Sequence, residues 1–337
     1  GKKLKNTEYY DRSFALVSNP STGAIIAAAG FKYKDENFVD ITNEIATSSF
    51  IVGSVIKGAS ISVGYQNNLI EIGAKINDSC IKLNNVPEKC SYRRWGMIDD
   101  VTALKTSSNY YQFLLAIKLT GQNYKSNMIL NATEEHFKTY RDTFASFGLG
   151  TNTGIDLPYE ATGIKGKTIA DDLLLNLAIG QYDTYTPLQL IQYINTVAMD
   201  GNRVKLSLMS KVTDDENIIL KNEVTILNQV LNNRFDRIKE GMRQVIDGGT
   251  GRGYADVSIK AAGKTGTAEV VYQKGINTIN QTFASFAPYD NPKYSIVTIS
   301  PNAYYDNSSS DTVAPINYRI SKELTSLVYG SGDEIKE

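Results

Sequence analysis

The stretch GSVIKGAS, residues 53–60, sets Ser54 and Lys57 three positions apart among small and apolar neighbours. Residues i and i+3 share a face of a helix, so a helical 54–57 brings hydroxyl and ammonium together. An apolar setting disfavours the charged form of a lysine, and a second cation nearby lowers its pKa further. A neutral Lys57 can then take the proton of Ser54 and make the serine a nucleophile for acyl transfer. Composition makes such a base necessary. The 337 residues include one histidine, His136, and two cysteines, Cys80 and Cys90. A Ser–His–Asp triad would have to use His136, which lies in the charged run ATEEHFKTY and reads as a surface helix residue. A histidine-rich zinc site and a four-cysteine site are excluded by the same counts.

Ser-x-x-Lys is weak by itself, and the chain repeats it at Ser79 and Lys82 in NDSCIKL. Apolar helical periodicity surrounds Ser54, whereas Ser79 follows a polar, loop-like stretch, so Ser54 is the better nucleophile. Acyl chemistry also needs a second cation and donors for an oxyanion. KTSSNYY (105–111) places Ser107 and Asn109 two apart on a loop after a helical segment. GKTGTAEVV (263–271) opens a strand with Lys264, Thr265, Gly266 and Thr267. Glycine there lets a ligand approach the backbone, and an extended strand offers N–H groups to an oxyanion and to a peptide alongside. Read singly, the first is a polar helix-to-loop junction and the second a turn entering a strand.

The elements that must position these residues follow from periodicity and turn chemistry. SFALVSNPSTGAIIAAA (13–29) reads as two strands around an NPSTG turn. A helix is expected over 44–67, with Thr47, Ser48 or Ser49 as N-cap, and others over 100–123 and 133–148. Residues 75–100 are irregular and polar. TYTPLQLIQYINTVAMDG (184–201) has a full helix start: Thr186 as cap, Pro187 first, Gln189 third. Another helix is expected over 234–247. Strands follow at 263–273, 281–290 and 294–300, then a last helix over 312–329 with Ile316, Ile320, Leu324 and Leu327 on one face. Strands at both chain ends with helices between them predict an α+β fold: an antiparallel sheet from N- and C-terminal strands flanked by helices, with a largely helical insertion. The sheet-forming parts are 14–45 and 255–330, the helical part 46–254; 1–13 reads as a linker or tag remnant and 331–337 as a tail. Lys+Arg 35 against Asp+Glu 36 gives no basic surface for nucleic acid. No run reaches the about 18 apolar residues of a membrane span.

Ser-x-x-Lys, Ser-x-Asn and Lys-Thr-Gly, in that order and widely spaced, resemble the motif set of serine acyltransferases that react with penicillin. The chain is most similar to the transpeptidase domain of class B penicillin-binding proteins, from about residue 14 to 330. The segments NPSTGAIIAAA, GIDLPYEATG (154–163), LAIGQYDTYTPLQL (177–190) and FASFAPYDNPKYSIV (283–297) share the likeness. The resemblance implies the fold of penicillin-binding transpeptidases and serine β-lactamases. It implies that Ser54 attacks the carbonyl between two terminal D-alanines of a peptidoglycan stem peptide, with Lys57 as general base and Ser107 and Lys264 sharing the proton transfers. The oxyanion donors would be the main-chain N–H groups of Ser54 and Thr267. Asn109 would hold the substrate amide, and Thr265, Gly266 and Thr267 the carboxylate end with Lys264. A neighbouring stem's amine would complete the cross-link, and β-lactams would acylate the same serine. With water as acceptor, the same motifs serve a D-alanyl-D-alanine carboxypeptidase or a serine β-lactamase, and a penicillin-sensing receptor domain also uses them. Expected partners are stem peptides, β-lactams and other cell-wall synthesis proteins such as a glycosyltransferase. The expected place is the outer face of the bacterial cytoplasmic membrane, anchored by an N-terminal segment absent from this chain. No cofactor is required. Some class B relatives hold zinc in the loop before Ser-x-Asn, where Asp78, Cys80 and Cys90 stand here. Met97 and Ser108 occupy positions where such relatives show histidine or cysteine. Zinc, a Cys80–Cys90 disulfide and free thiols all remain open.

Overall fold

The computed structural model describes residues 6–214, 217–255, 257–305 and 316–330. Residues 1–5 of the expected linker, 312–315 of the expected last helix and the tail at 331–337 lie outside the described residues. Six strands form one antiparallel sheet: β1 (Arg12–Ser18), β2 (Ile25–Lys34), β3 (Asn37–Asp40), β4 (Ala262–Gln273), β5 (Ile276–Ala287) and β6 (Tyr294–Tyr305). Their order is β4-β5-β6-β1-β2-β3, so the two ends of the chain meet where β1 pairs with β6. The α+β architecture expected from the sequence is the one the chain adopts.

Register follows from side-chain alternation. Leu16 lies opposite Val297, and both enter the main core beneath the helices. Their neighbours Val17 and Ile296 are also paired and point to the other face, where they meet Val328. A slip by one residue would exchange the two cores, which is why both faces specify this pairing.

Among the described residues there are eight α-helices, of which the sixth to eighth pack on the sheet: α1 (Lys57–Gln66), α2 (Asp100–Lys105), α3 (Asn109–Leu119), α4 (Glu134–Ser146), α5 (Asp171–Ala178), α6 (Pro187–Ala198), α7 (Phe235–Ile246) and α8 (Ile316–Gly330). α6 forms as its sequence predicts. The N–H of Gln189 donates to Thr186 Oγ1, the N–H of Thr186 donates back to Gln189 Oε1, each at 3.2 Å, and every residue of α6 is buried. α1 is small or apolar nearly all round, and it is buried from Lys57 to Tyr65.

Several expectations are corrected. The helix over 44–67 is two 3-10 turns, Thr42–Ala46 and Gly53–Ile56, followed by α1; none of Thr47, Ser48 and Ser49 is an N-cap, and Thr47 instead closes the first turn with its N–H on Glu44 O. The helix over 100–123 breaks after Lys105, because Ser107 takes a left-handed φ of +56° and Ser108 caps a new helix. α5 was not anticipated. Residues 75–100 contain two short antiparallel pairs, Ile76–Asn77 with Met97–Ile98 and Cys80–Ile81 with Lys89–Cys90. The inserted region also holds two more such pairs, between 202 and 229. In α8, Val328 and not Leu327 joins Ile316, Ile320 and Leu324 on the buried face, as spacing by four demands. Leu16→Ala should therefore lower the unfolding free energy by about 2–5 kcal/mol in a urea titration. Leu327→Ala, at a side chain 69% exposed, should change it by less than about 0.5 kcal/mol.

Candidate active site

Ser54 stands half-buried in the 3-10 turn Gly53–Ile56, which runs directly into α1. Residues i and i+3 eclipse in such a turn, so Ser54 and Lys57 share a side, though by a tighter geometry than an α-helix supplies. Neighbouring elements grip the turn by its backbone. The Gly53 N–H donates to Gly180 O at 2.9 Å, Thr282 Oγ1 donates to Val52 O at 2.8 Å, Asn280 Nδ2 to Ile51 O at 2.9 Å, and Tyr193 OH to Val55 O at 3.1 Å.

Lys57 and Lys264 are both fully buried. Lys57 Nζ donates to Asn109 Oδ1 at 2.6 Å and to Ser107 O at 2.8 Å, with Ser107 Oγ at 3.4 Å. Lys264 Nζ donates to the same Ser107 Oγ at 2.9 Å and to Thr265 O at 3.0 Å. The Ser107 hydroxyl thus lies between two lysines, and its left-handed backbone is the strained conformation that puts it there. Burial, and Lys264 as a second cation, hold the Lys57 ammonium well below the usual lysine range, with Asp78 pulling the other way. Burial pushes Lys264 down to about 7. A lysine so depressed exchanges its proton near neutral pH, as a general base must.

The Lys-Thr-Gly segment is the start of β4, on the edge of the sheet. Lys264 and Gly266 are buried, while Thr265 and Thr267, which alternate with them along the strand, are half-buried and exposed. Thr265 Oγ1 donates to Thr250 Oγ1 at 3.1 Å. Gly266 is required by contact: a Cβ there would lie 2.1 Å from Thr282 Oγ1 and 2.4 Å from Val52 O. Gly53 is its counterpart, with φ +62° and its missing Cβ 2.3 Å from Thr267 O and 3.1 Å from Thr267 N. The two glycines let strand and turn touch, which brings the Thr267 backbone beside Ser54.

The remaining candidates fall elsewhere. Lys82 Nζ is spent on Val86 O at 2.6 Å, within the loop that carries Ser79. His136 is half-buried rather than a bare surface residue, and its Nδ1 accepts the Thr133 N–H at 3.0 Å, closing the start of α4. Cys80 and Cys90 form a disulfide, so neither sulfur is a thiolate in this state. Asp78 is turned away from them: its carboxylate accepts from Ser108 Oγ, Ser91 Oγ and the Trp95 N–H. The carboxylate beside the cysteines is that of Glu88.

Residue types and spacing did not single out Asp78, Ser91, Gly180, Tyr193, Thr250, Asn280 or Thr282 as parts of one site. All but Thr250 brace a motif segment through its backbone or a neighbouring hydroxyl, and such contacts leave no local pattern to find.

Lys264 sheds its proton near 7 when folded and near 10.5 when unfolded. The unfolded chain therefore binds the extra proton between those values, and stability rises with pH across that window. Lys264→Met should raise the melting temperature by a few degrees near pH 7, in scanning calorimetry, with the gain shrinking toward pH 10.5.

The family described as penicillin binding protein transpeptidase domain matches residues 13–322. The chain is 35% identical to penicillin-binding protein 2A of Bacillus subtilis (strain 168), over 99% of this chain and 49% of that protein. It is 25% identical to peptidoglycan D,D-transpeptidase MrdA of Acinetobacter baumannii, over 90% of this chain and 48% of that protein. Penicillin-binding protein 2B from Streptococcus pneumoniae (strain R6) matches in structure with a TM-score of 0.89 at 29% identity, over 98% of this chain and 56% of that one. The chain spans about half the length of the curated relatives it matches. Its three motifs meet at one point, on the fold of that S. pneumoniae protein: this chain belongs to the penicillin-binding protein transpeptidase domain family, in the class B branch.

Proposed function

We propose that Ser54 is the nucleophile of a D,D-transpeptidase that cross-links peptidoglycan stem peptides, and that β-lactams acylate the same serine. One observation carries the reading: the Ser107 hydroxyl, 2.9 Å from Lys264 Nζ and 3.4 Å from Lys57 Nζ, joins two buried lysines beside the turn that holds Ser54. A neutral Lys57 takes the Ser54 proton as Oγ attacks the carbonyl of the penultimate D-alanine. The Ser54 and Thr267 N–H groups receive the oxyanion. The C–N bond then breaks, and the terminal D-alanine leaves as an amine once a proton reaches it through Lys57 or the Ser107–Lys264 pair. An amine of a second stem attacks the ester, forms the new amide and returns Ser54 its proton.

Asn109 Oδ1 accepts from Lys57 when no substrate is present. A substrate amide N–H competes for the same oxygen, which frees Lys57 to turn to Ser54. Lys264, Thr265 and Thr267 are placed for the terminal carboxylate at the strand edge, along which the peptide lies as an added strand. No step calls on a metal or cofactor. Stem peptides lie outside the cytoplasmic membrane, and a disulfide suits that oxidising side. In that setting the domain works at the outer membrane face with other cell-wall synthesis proteins, a glycosyltransferase among them. No helix among the described residues is long and apolar enough to cross a membrane.

Incubation with a penicillin followed by intact-mass measurement should give an adduct that Ser54→Ala loses and Ser79→Ala keeps. Loss in Ser79→Ala alone would sink the assignment of the nucleophile. A stem-peptide substrate offered with an acceptor amine should yield the amide product ahead of hydrolysis. The acylation rate should rise with pH through the neutral range, as the depressed lysine pair gives up a proton. A profile flat from pH 5 to 9 would count against lysine as the base.

A further inference from the structure

Residues 78–96 supply none of the three motif segments that meet at the site, only the spare Ser79/Lys82 pair, yet they hold the middle motif in place. Asp78 is buried, at 2% exposure. Its Oδ1 accepts from Ser108 Oγ at 2.6 Å and from Ser91 Oγ at 3.1 Å, and its Oδ2 accepts the Trp95 N–H at 3.2 Å. A carboxylate only accepts, so both hydroxyl protons are drawn to it and the hydroxyl lone pairs are left facing α3. Ser91 Oγ takes the N–H of Asn109 at 3.0 Å and of Tyr110 at 3.2 Å; Ser108 Oγ takes that of Tyr111 at 3.0 Å. The Asn109 and Tyr110 donors of the first turn of α3 are thereby satisfied from a separate loop, and that of Tyr111 by the helix's own N-cap.

The residue before Ser91 fixes the Asn109 side chain as well. Cys90 O accepts from Asn109 Nδ2 at 3.1 Å. With the amide nitrogen held there, Oδ1 faces Lys57 Nζ at 2.6 Å. Cys90 is itself tied to Cys80, two positions after Asp78, by a disulfide spanning a sequence separation of 10. The bond holds the segment that binds Asn109 next to the segment that supplies the carboxylate. Without it, the Cys80–Ile81 and Lys89–Cys90 strands form only a two-residue pair, which is marginal alone.

We infer that Ser91, clamped between Asp78 and the Cys80–Cys90 disulfide, is a positioning residue that aims Asn109 at Lys57, and that opening the disulfide slows acylation of Ser54. The inference rests on the reading of Ser54 as the acylated residue.

The test compares oxidised protein, protein reduced with dithiothreitol and alkylated, and the variants Ser91→Ala, Ser91→Thr and Cys80→Ser/Cys90→Ser. In the reduction, dithiothreitol passes two electrons and two protons to the disulfide, leaving two thiols and its own cyclic disulfide. The second-order rate of acylation by a penicillin is measured from pH 5.5 to 9.5, beside the melting temperature of each sample. Reduction, Ser91→Ala and the double serine variant should each slow acylation about tenfold or more and shift the midpoint of the pH limb. Ser91→Thr, which keeps the hydroxyl, should restore most of the rate. A purely structural role would lower the melting temperature while leaving that midpoint in place, and such a result overturns the inference. Rates within twofold of the oxidised protein overturn it too. If Ser91→Ala does not fold, reduction before alkylation decides: a rate that falls and returns on reoxidation supports the inference, and an unchanged rate rejects it. No adduct in the oxidised protein would remove the Ser54 reading and this inference with it, whereas an adduct formed equally fast after reduction removes this inference alone.

Discussion

Two lysine ammonium groups sit in the dry interior beside one serine hydroxyl, and the rest of the molecule is arranged around keeping them there. Neither Lys57 nor Lys264 has a carboxylate in hydrogen-bonding reach; their partners are carbonyls, the Asn109 amide and the Ser107 hydroxyl. Burial disfavours the ammonium form of both, and Lys264 as a second cation lowers Lys57 further, against the opposing pull of Asp78. In the function proposed for this site, that penalty is what fits a lysine to serve as the base, in a chain whose single histidine is engaged at the start of α4. The same penalty works against folding, so the favourable free energy must come from apolar burial elsewhere. The fully buried α6 and the sheet face carrying Leu16, Val297 and Ile299 are such places.

A buried pair of this kind tolerates little looseness, since renewed hydration restores the ordinary pKa. The chain keeps the pair buried by packing backbone against backbone. Gly266 on β4 and Gly53 on the serine turn omit the side chains that would hold the two segments apart. Thr282 and Asn280 of β5 reach past the edge strand to the carbonyls of Val52 and Ile51. Tyr193 of α6 takes the carbonyl of Val55. Sheet and helical region therefore meet at the serine: Lys264 and the Thr267 backbone come from the sheet, Ser54 from the 3-10 turn and Lys57 from the start of α1.

Much of this could be read from the chain because it rests on local chemistry. Thr186, Pro187 and Gln189 specify where α6 begins, and alternating apolar residues specify β1, β5 and β6. Ser54, Lys57, Ser107, Asn109, Lys264, Gly266 and Thr267 were all visible as residue types at telling spacings, and the fold gathers them. The misreadings were also local in origin. Apolar periodicity over 44–67 looks helical, but Gly53 takes a left-handed turn to pass β4, and only a 3-10 turn fits before α1. Continuity over 100–123 hid the break at Ser107, since the left-handed serine meets Lys57 and Lys264, which lie far away in the sequence.

The order of motifs, the absence of any free histidine base and the α+β pattern follow from the residues alone, because composition and periodicity act over a few positions. Three things depended on the folded chain. Cys80 and Cys90 could have been zinc ligands, thiols or a disulfide until the strands at 80–81 and 89–90 paired them. Asp78 reads as a candidate metal ligand in sequence, yet it is an acceptor for Ser91, Ser108 and the Trp95 N–H beneath α3. The depressed lysines are the third: burial lowers the pKa of an ammonium, and that burial is made by segments far apart in the chain closing over one another.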